Sequence, residues 1–144
     1  VAETHSLRSK RMDISLALYE QTILAVGYVA ALMFLQILVV DVLGISQKHV
    51  PGTPVEASHK SSLFRASRTV ANINESIGVF LCAIVFCLFS GATPEYTAYA
   101  AWGYALSRTL FAVCYYANIQ TLRSICFGVS LLFLAALIVL GATA

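Results

Sequence analysis

The chain has 144 residues, a length typical of one domain, but its composition is not that of a soluble protein. Hydrophobic residues make up 59% of the sequence and charged residues 11%, and the mean hydropathy is +0.81. A typical soluble domain is about 45–50% apolar and about 25% charged. When a domain of this size folds in water, roughly a third of the area that its unfolded chain exposes stays exposed. The composition therefore excludes an ordinary soluble enzyme, a disordered chain and a nucleic-acid-binding protein. It predicts a protein whose solvent is the lipid bilayer.

Long segments without charged side chains predict four membrane spans. A bilayer core about 30 Å thick needs about 20 apolar residues in a helix. Asp, Glu, Lys and Arg are missing from segments 21–40, 76–94 and 124–144, and only Arg108 interrupts segment 96–122. The segments are continuously apolar, which favours helices over the alternating strands of a barrel. We therefore expect one all-α domain over residues 1–144, an up-down bundle of four transmembrane helices at about 14–43, 68–90, 95–116 and 122–141.

The segments between the spans predict how the helices are arranged. Residues 44–63 form one long polar loop, whereas the connections at 91–95 and 117–120 are short and make spans two to four antiparallel neighbours. The first apolar run is too long for a signal peptide and has no convincing cleavage site, so we expect it to be a span. Loops one and three lie on one side of the membrane and together contain five basic residues: Lys48, Lys60, Arg65, Arg68 and Arg123. The other side has three, Arg8, Lys10 and Arg11, before the first span. The positive-inside rule then predicts that loops one and three are cytoplasmic.

Cysteine and histidine spacing predicts no metal site. The four cysteines all lie in predicted spans without a C-x-x-C pair, and such thiols behave as small hydrophobic residues: Cys82, Cys87, Cys114 and Cys126. The three histidines lie in the N-terminal tail and the first loop without the spacing of metal ligands. The sequence also lacks a Walker loop, a dinucleotide-binding glycine motif and a serine elbow, so nothing favours nucleotide chemistry or hydrolysis.

Four polar residues around the start of the second predicted span lie on one helical face: Arg65, Arg68, Asn72 and Glu75. Ionisable groups in a membrane cost several kcal/mol and usually face the interior of a bundle or a wet cavity. One interpretation is an ionic staple, in which these residues pair with arginines of neighbouring helices and fix their register. The other is a binding site, because several arginines beside one carboxylate leave an excess of positive charge that attracts an anionic ligand.

The third and fourth predicted helices add polar residues to this pattern. Arg108 lies deep in the third helix with Tyr115 on the same face, and Arg123-Ser124 begin the fourth. In this order, Arg-x-x-Arg-x-x-x-Asn-x-x-Glu followed by Arg, Tyr and Arg-Ser resembles the MAPEG superfamily, the membrane-associated proteins in eicosanoid and glutathione metabolism. The resemblance covers all four spans and is strongest from Phe64 to Phe127.

The MAPEG resemblance implies a homotrimer that binds glutathione between neighbouring protomers near one membrane face. The residues implied to bind it are Arg65, Arg68, Asn72, Glu75, Arg108, Tyr115 and Ser124. Arg123 is implied to be catalytic, because a guanidinium beside the thiol favours the thiolate. That thiolate would attack a lipophilic electrophile that enters from the bilayer.

Several positions depart from the family pattern. Well-studied members often carry an acidic residue where this chain has Phe64, and polar or hydroxyl groups where it has Val70, Ser76, Phe111 and Phe127. Three of these last four residues are apolar, and each missing donor would weaken glutathione binding by about 0.5–1.5 kcal/mol. The glutathione site implied by the resemblance therefore has fewer polar contacts in this chain.

Two hypotheses follow from this pattern and a third is weaker. The first is a divergent, bacterial-type glutathione transferase or peroxidase in the inner membrane. The second is a non-catalytic subunit of a larger membrane complex that keeps the same fold. The third, a proton-coupled exporter with Glu20 or Glu75 as proton carrier, is disfavoured because Glu75 shares its helix face with arginines, whereas such exporters usually keep one lone carboxylate.

Overall fold

A computed structural model describes residues 17–144 of the chain, and these residues contain four long α-helices. The helices are α1 (Glu20–Ser46), α2 (Ser62–Ser90), α3 (Pro94–Tyr116) and α4 (Gln120–Ala142). Their type and order confirm the predicted all-α architecture. Residues 14–16 of the first predicted span, and the basic residues Arg8, Lys10 and Arg11, lie outside the described residues.

The helix boundaries follow backbone hydrogen bonding rather than the limits of the apolar segments. α2 begins at Ser62, six residues before the predicted start at 68, because Ser61 caps it by accepting a 3.3 Å hydrogen bond from the Phe64 backbone N–H. α2 ends at Ser90 and is capped by Gly91, whose φ of +76° is a conformation that glycine adopts without strain. Pro94 then occupies the first turn of α3, where its missing N–H has no cost. The spans were predicted from charge, and charge marks the membrane boundary rather than the end of a helix.

Three of the four helices, α1, α2 and α4, are long and apolar enough to cross a membrane by length and composition. α3 has 23 residues but is not among the three. It packs against all three other helices, and about half of its residues are buried, many of them alanine, tyrosine or serine. Because a larger share of α3 than of the other helices packs against protein, less of its surface has to be apolar.

The core of the bundle lies midway along α2 and α3. Phe80 stacks on Tyr104 with 4.3 Å between ring centroids, and Leu137 of α4 and Val29 of α1 are buried in the same cluster. α3 and α4 pack together most extensively, and α2 also contacts each of the other helices. The up-down order therefore brings the start of α2, the end of α3, the start of α4 and the first loop to one end of the bundle, which we call the Arg-rich end.

Candidate functional site

A cavity of about 220 Å³ lies at the Arg-rich end, between the first turns of α2 and α4 and the last turns of α3. Its lining residues are Arg68, Asn72, Phe111, Tyr115, Arg123, Ser124 and Phe127. Five of these were singled out in the sequence: Arg68, Asn72, Tyr115, Arg123 and Ser124. The charged groups of the lining are both guanidinium groups, so the cavity presents positive charge and hydrogen-bond donors.

Arg108 lies beneath this cavity rather than in its lining. Its side chain is 1% exposed, and its guanidinium carbon lies 4.7 Å from the ring centroid of Phe111 and 5.7 Å from that of Phe127. Both aromatic rings line the cavity and offer the cation their faces. Among the described residues, Nε and Nη1 of Arg108 have no hydrogen-bond partner. A buried cation of this kind is costly, and its uncompensated charge favours an anion in the cavity beside it.

Asn72 connects Arg108 to the cavity. Nη2 of Arg108 donates a hydrogen bond to Oδ1 of Asn72, with 2.7 Å between the two atoms. Because the amide oxygen is taken up by Arg108, the amide nitrogen is the end of Asn72 that remains available to the cavity. Asn72 therefore offers the cavity hydrogen-bond donors.

Tyr115 and Arg123 form one side of the cavity, where the short α3–α4 connection brings these two residues together. The guanidinium carbon of Arg123 lies 4.5 Å from the Tyr115 ring centroid, a cation–π contact that holds the cation beside the cavity. Tyr115 is buried and also meets Phe111 edge to face, with 5.5 Å between centroids. Ser124 donates its hydroxyl hydrogen to the Gln120 carbonyl at 3.1 Å, which leaves the lone pairs of Oγ free to accept.

Arg65 and Glu75, the ends of the predicted polar face, do not line the cavity. Arg65 donates to three backbone carbonyl groups: Nη1 to His59 at 2.6 Å and Lys60 at 3.1 Å, and Nε to Tyr116 at 3.2 Å. Glu75 is exposed on α2, and the bonded partner of Arg108 is Asn72 rather than this carboxylate. The ionic staple, one of the two interpretations of the sequence, is therefore not what fixes Arg108. A single helical face places these side chains in one direction but does not say which neighbouring helix each one meets.

The structure also brings to the site residues whose contacts were not expected from the sequence. Phe111 and Phe127 were noted only as departures from a polar pattern, yet their rings face the Arg108 guanidinium. His59 was considered only as a loop histidine without ligand spacing, and its ring stacks near that of Tyr115, with 6.2 Å between centroids. No spacing in the sequence links His59 to Tyr115, because His59 lies in a loop and Tyr115 lies in the last turn of α3.

Comparisons with known proteins identify the family of the chain. A search of curated proteins gave no match to the chain. A comparison with protein families matches residues 22–143 to the MAPEG family, a range that includes all the lining residues of the cavity and nearly the whole of the four helices. The chain therefore belongs to the MAPEG family.

Proposed function

We propose that this protein is a glutathione-dependent membrane transferase or peroxidase that acts on lipophilic electrophiles. Membership of the MAPEG family supports a role in glutathione or eicosanoid metabolism. The observation that carries the proposal is the cationic cavity, in which Arg68 and Arg123 line the walls and Arg108 lies beneath, with two guanidinium nitrogen atoms that have no hydrogen-bond partner among the described residues.

The side chains of the cavity suit the ends of glutathione, which carries two carboxylates and one ammonium group. Arginine matches a carboxylate in geometry as well as charge, and the amide nitrogen of Asn72 adds a neutral donor. The ammonium group needs an acidic partner, and the cavity of one protomer contains none among its lining residues. Glu75 is exposed on α2 and is available to a neighbouring copy. This arrangement supports a homotrimer in which adjoining protomers complete each site.

Glutathione would supply the nucleophilic thiol of the reaction. The residue that supports this chemistry is Arg123, because a guanidinium beside the cavity favours negative charge on a sulfur atom held there. Arg68 and Asn72 would hold carboxylate groups, and Tyr115 would pack against the peptide. The lipophilic substrate would enter from the bilayer, to which the helices present exposed aliphatic side chains.

The basic residues of the Arg-rich end also support a topology. Lys48, Lys60 and Arg123 lie at this end of the described chain, so we place it on the cytoplasmic side. The membrane we propose is the bacterial inner membrane, with loops one and three facing the cytoplasm.

One observation favours a second candidate function, that of a non-catalytic subunit in a larger membrane complex. Phe111 and Phe127 line the cavity and offer no hydrogen-bond donor to a ligand. A cavity with apolar walls of this kind would bind glutathione less tightly, and the fold would then serve to pack against partner proteins.

Binding of glutathione to the detergent-purified protein separates the two candidates. We expect saturable binding at millimolar concentration or below by calorimetry, together with ultraviolet thiolate absorbance. Ophthalmic acid, in which a methyl group replaces the thiol, is the matched control, and it should bind without this absorbance. No binding at millimolar glutathione would reject the enzyme proposal, and co-purification of a partner at fixed stoichiometry would support the second candidate.

A further inference from the structure

The first loop reaches the cavity through a stack of side chains that we call the His59 stack: His59, Tyr115 and Arg123. The rings of His59 and Tyr115 are 28° from parallel with 6.2 Å between their centroids. The guanidinium carbon of Arg123 lies 4.5 Å from the same Tyr115 ring. Tyr115 therefore joins an exposed loop residue to the arginine proposed to act on the thiol.

The position of His59 is fixed by contacts on two sides. Its ring meets Phe64 of α2 edge to face, with 5.3 Å between centroids and 85° between planes. Its backbone carbonyl accepts a 2.6 Å hydrogen bond from Nη1 of Arg65, and Nε of the same guanidinium donates to the carbonyl of Tyr116 at 3.2 Å. One arginine thus ties the end of the loop to the last turn of α3, next to Tyr115.

We infer that His59 is a positioning residue of the cavity and that Arg65 is the clamp that holds it there. His59 does not line the cavity, so it acts through Tyr115. An arginine side chain has many rotamers, and a site binds more tightly when such side chains are ordered before the ligand arrives. The His59 stack limits the freedom of Tyr115 and, through it, of Arg123. This inference rests on the proposed function, because it assigns a role within that site.

The first loop also supplies a matched control for His59. His49 lies in the same loop, but its Nε2 atom is 3.2 Å from the carbonyl of Thr53, and it lines a separate cavity between α1, the loop and α2. A general effect of changing a loop histidine would appear at both positions, whereas a positioning role predicts an effect at His59 alone.

The test measures glutathione affinity and steady-state turnover of three variants in detergent. His59→Ala removes the ring, and we expect the Kd and KM for glutathione to rise about 2- to 10-fold, the usual range for an aromatic contact, with a smaller change in kcat. His59→Phe keeps the aromatic ring and should restore wild-type affinity, and His49→Ala should leave it unchanged. Wild-type affinity in His59→Ala, or a loss in His59→Phe equal to that in His59→Ala, would overturn the inference.

A second measurement separates this inference from the proposed function, because it needs no glutathione. Hydrogen exchange in His59→Ala and Arg65→Gln should become faster in residues 58–61 and 112–118, while the middle of each helix stays protected as in the wild type. Absence of glutathione binding in the wild-type protein would reject the proposed function but would leave the role of the His59 stack to be decided by hydrogen exchange. Unchanged exchange in residues 112–118 of both variants would show that His59 positions nothing.

Discussion

α3 and α4 line a cavity at each end of their contact, and the two cavities differ in chemistry. At the Arg-rich end the cavity contains Arg68, Arg123 and the amide of Asn72. At the opposite end a groove of about 530 Å³ lies between the first turns of α3 and the last turns of α4. The residues of this groove are Tyr96, Tyr99, Ala100, Leu132, Phe133, Ala135, Ala136, Val139 and Leu140.

The two ends of the α3–α4 pair differ in side-chain chemistry rather than in the shape of the helix pair, and this difference is the reason that we propose the site at the Arg-rich end. In the apolar groove, the Tyr99 hydroxyl already donates to Glu95 at 3.0 Å, and the other lining residues apart from Tyr96 have no polar side-chain group. Lipid acyl chains can solvate such a surface without directional contacts. Binding of an anion requires several converging donors, and donors converge at the Arg-rich end, where Arg68 and Arg123 line the cavity and Arg108 bonds to Asn72.

The strongest test of this contrast is Arg123→Ala, which removes a guanidinium from the Arg-rich end. A hydrogen bond to a charged group contributes about 1.5–3 kcal/mol, so we expect kcat/KM for glutathione-dependent turnover to fall about 10- to 150-fold. Arg123→Lys keeps the charge without the planar group and should give an intermediate loss. Turnover that survives Arg123→Ala intact would mean that another group stabilises the thiolate.

Asn72→Asp tests the contact of Asn72 with the ligand while keeping its hydrogen bond to Arg108. The new carboxylate still accepts the Arg108 hydrogen bond, but it removes the amide donor and repels an anion, so we expect the Kd for glutathione to rise about 10-fold. The Tm in detergent should be kept, whereas Asn72→Ala should lower it, because Nη2 of Arg108 then loses its acceptor. Wild-type affinity in Asn72→Asp would show that the Asn72 amide does not contact the ligand.

Ser124→Ala tests a weaker polar contact in the same cavity. A neutral hydrogen bond contributes about 0.5–1.5 kcal/mol, so affinity for glutathione should fall about 2- to 10-fold. Thermal stability should change little, because Ser124 is exposed and, within residues 17–144, its hydroxyl bonds only to the Gln120 carbonyl of its own helix. The contact is disproved if calorimetry gives the wild-type Kd.

A substitution in the apolar groove should have the smallest effect on glutathione binding and turnover. Tyr99→Phe removes the hydroxyl that donates to Glu95, an exposed interaction at the far end of α3. We expect the Kd for glutathione and kcat to stay within about 2-fold of wild type, because exposed pairs contribute little. An effect as large as that of Ser124→Ala would mean that the two ends of the α3–α4 pair are coupled.

The polar face of α2 illustrates how far sequence patterns reach. Helical spacing grouped Arg68 and Asn72, and both line the cavity. The same spacing could not separate them from Arg65, which bonds to loop carbonyls, or from Glu75, which is exposed. Periodicity gives the direction in which a side chain leaves its helix, whereas its partner depends on where the loops and other helices lie.

Arg108 illustrates the same limit for burial. Its position deep in an apolar segment identified it as a functional candidate, but its depth below the cavity and its pairing with Asn72 depend on how α3 packs against α2. The interpretation of Phe111 and Phe127 changes for the same reason. In the sequence they are missing donors, and in the structure they are the aromatic faces that accompany a buried cation.

The sequence by itself determined the solvent of this protein, its all-α architecture, the order of its helices and the small set of polar residues that lie among apolar ones. These properties depend on composition and local periodicity, which a linear sequence contains directly. Tertiary structure alone decided which of those residues share a cavity, since Asn72 and Arg108 are 36 positions apart and Arg65 and Tyr116 are 51 apart. Contacts over such separations form only when helices pack, and packing depends on many side chains at once rather than on any single motif.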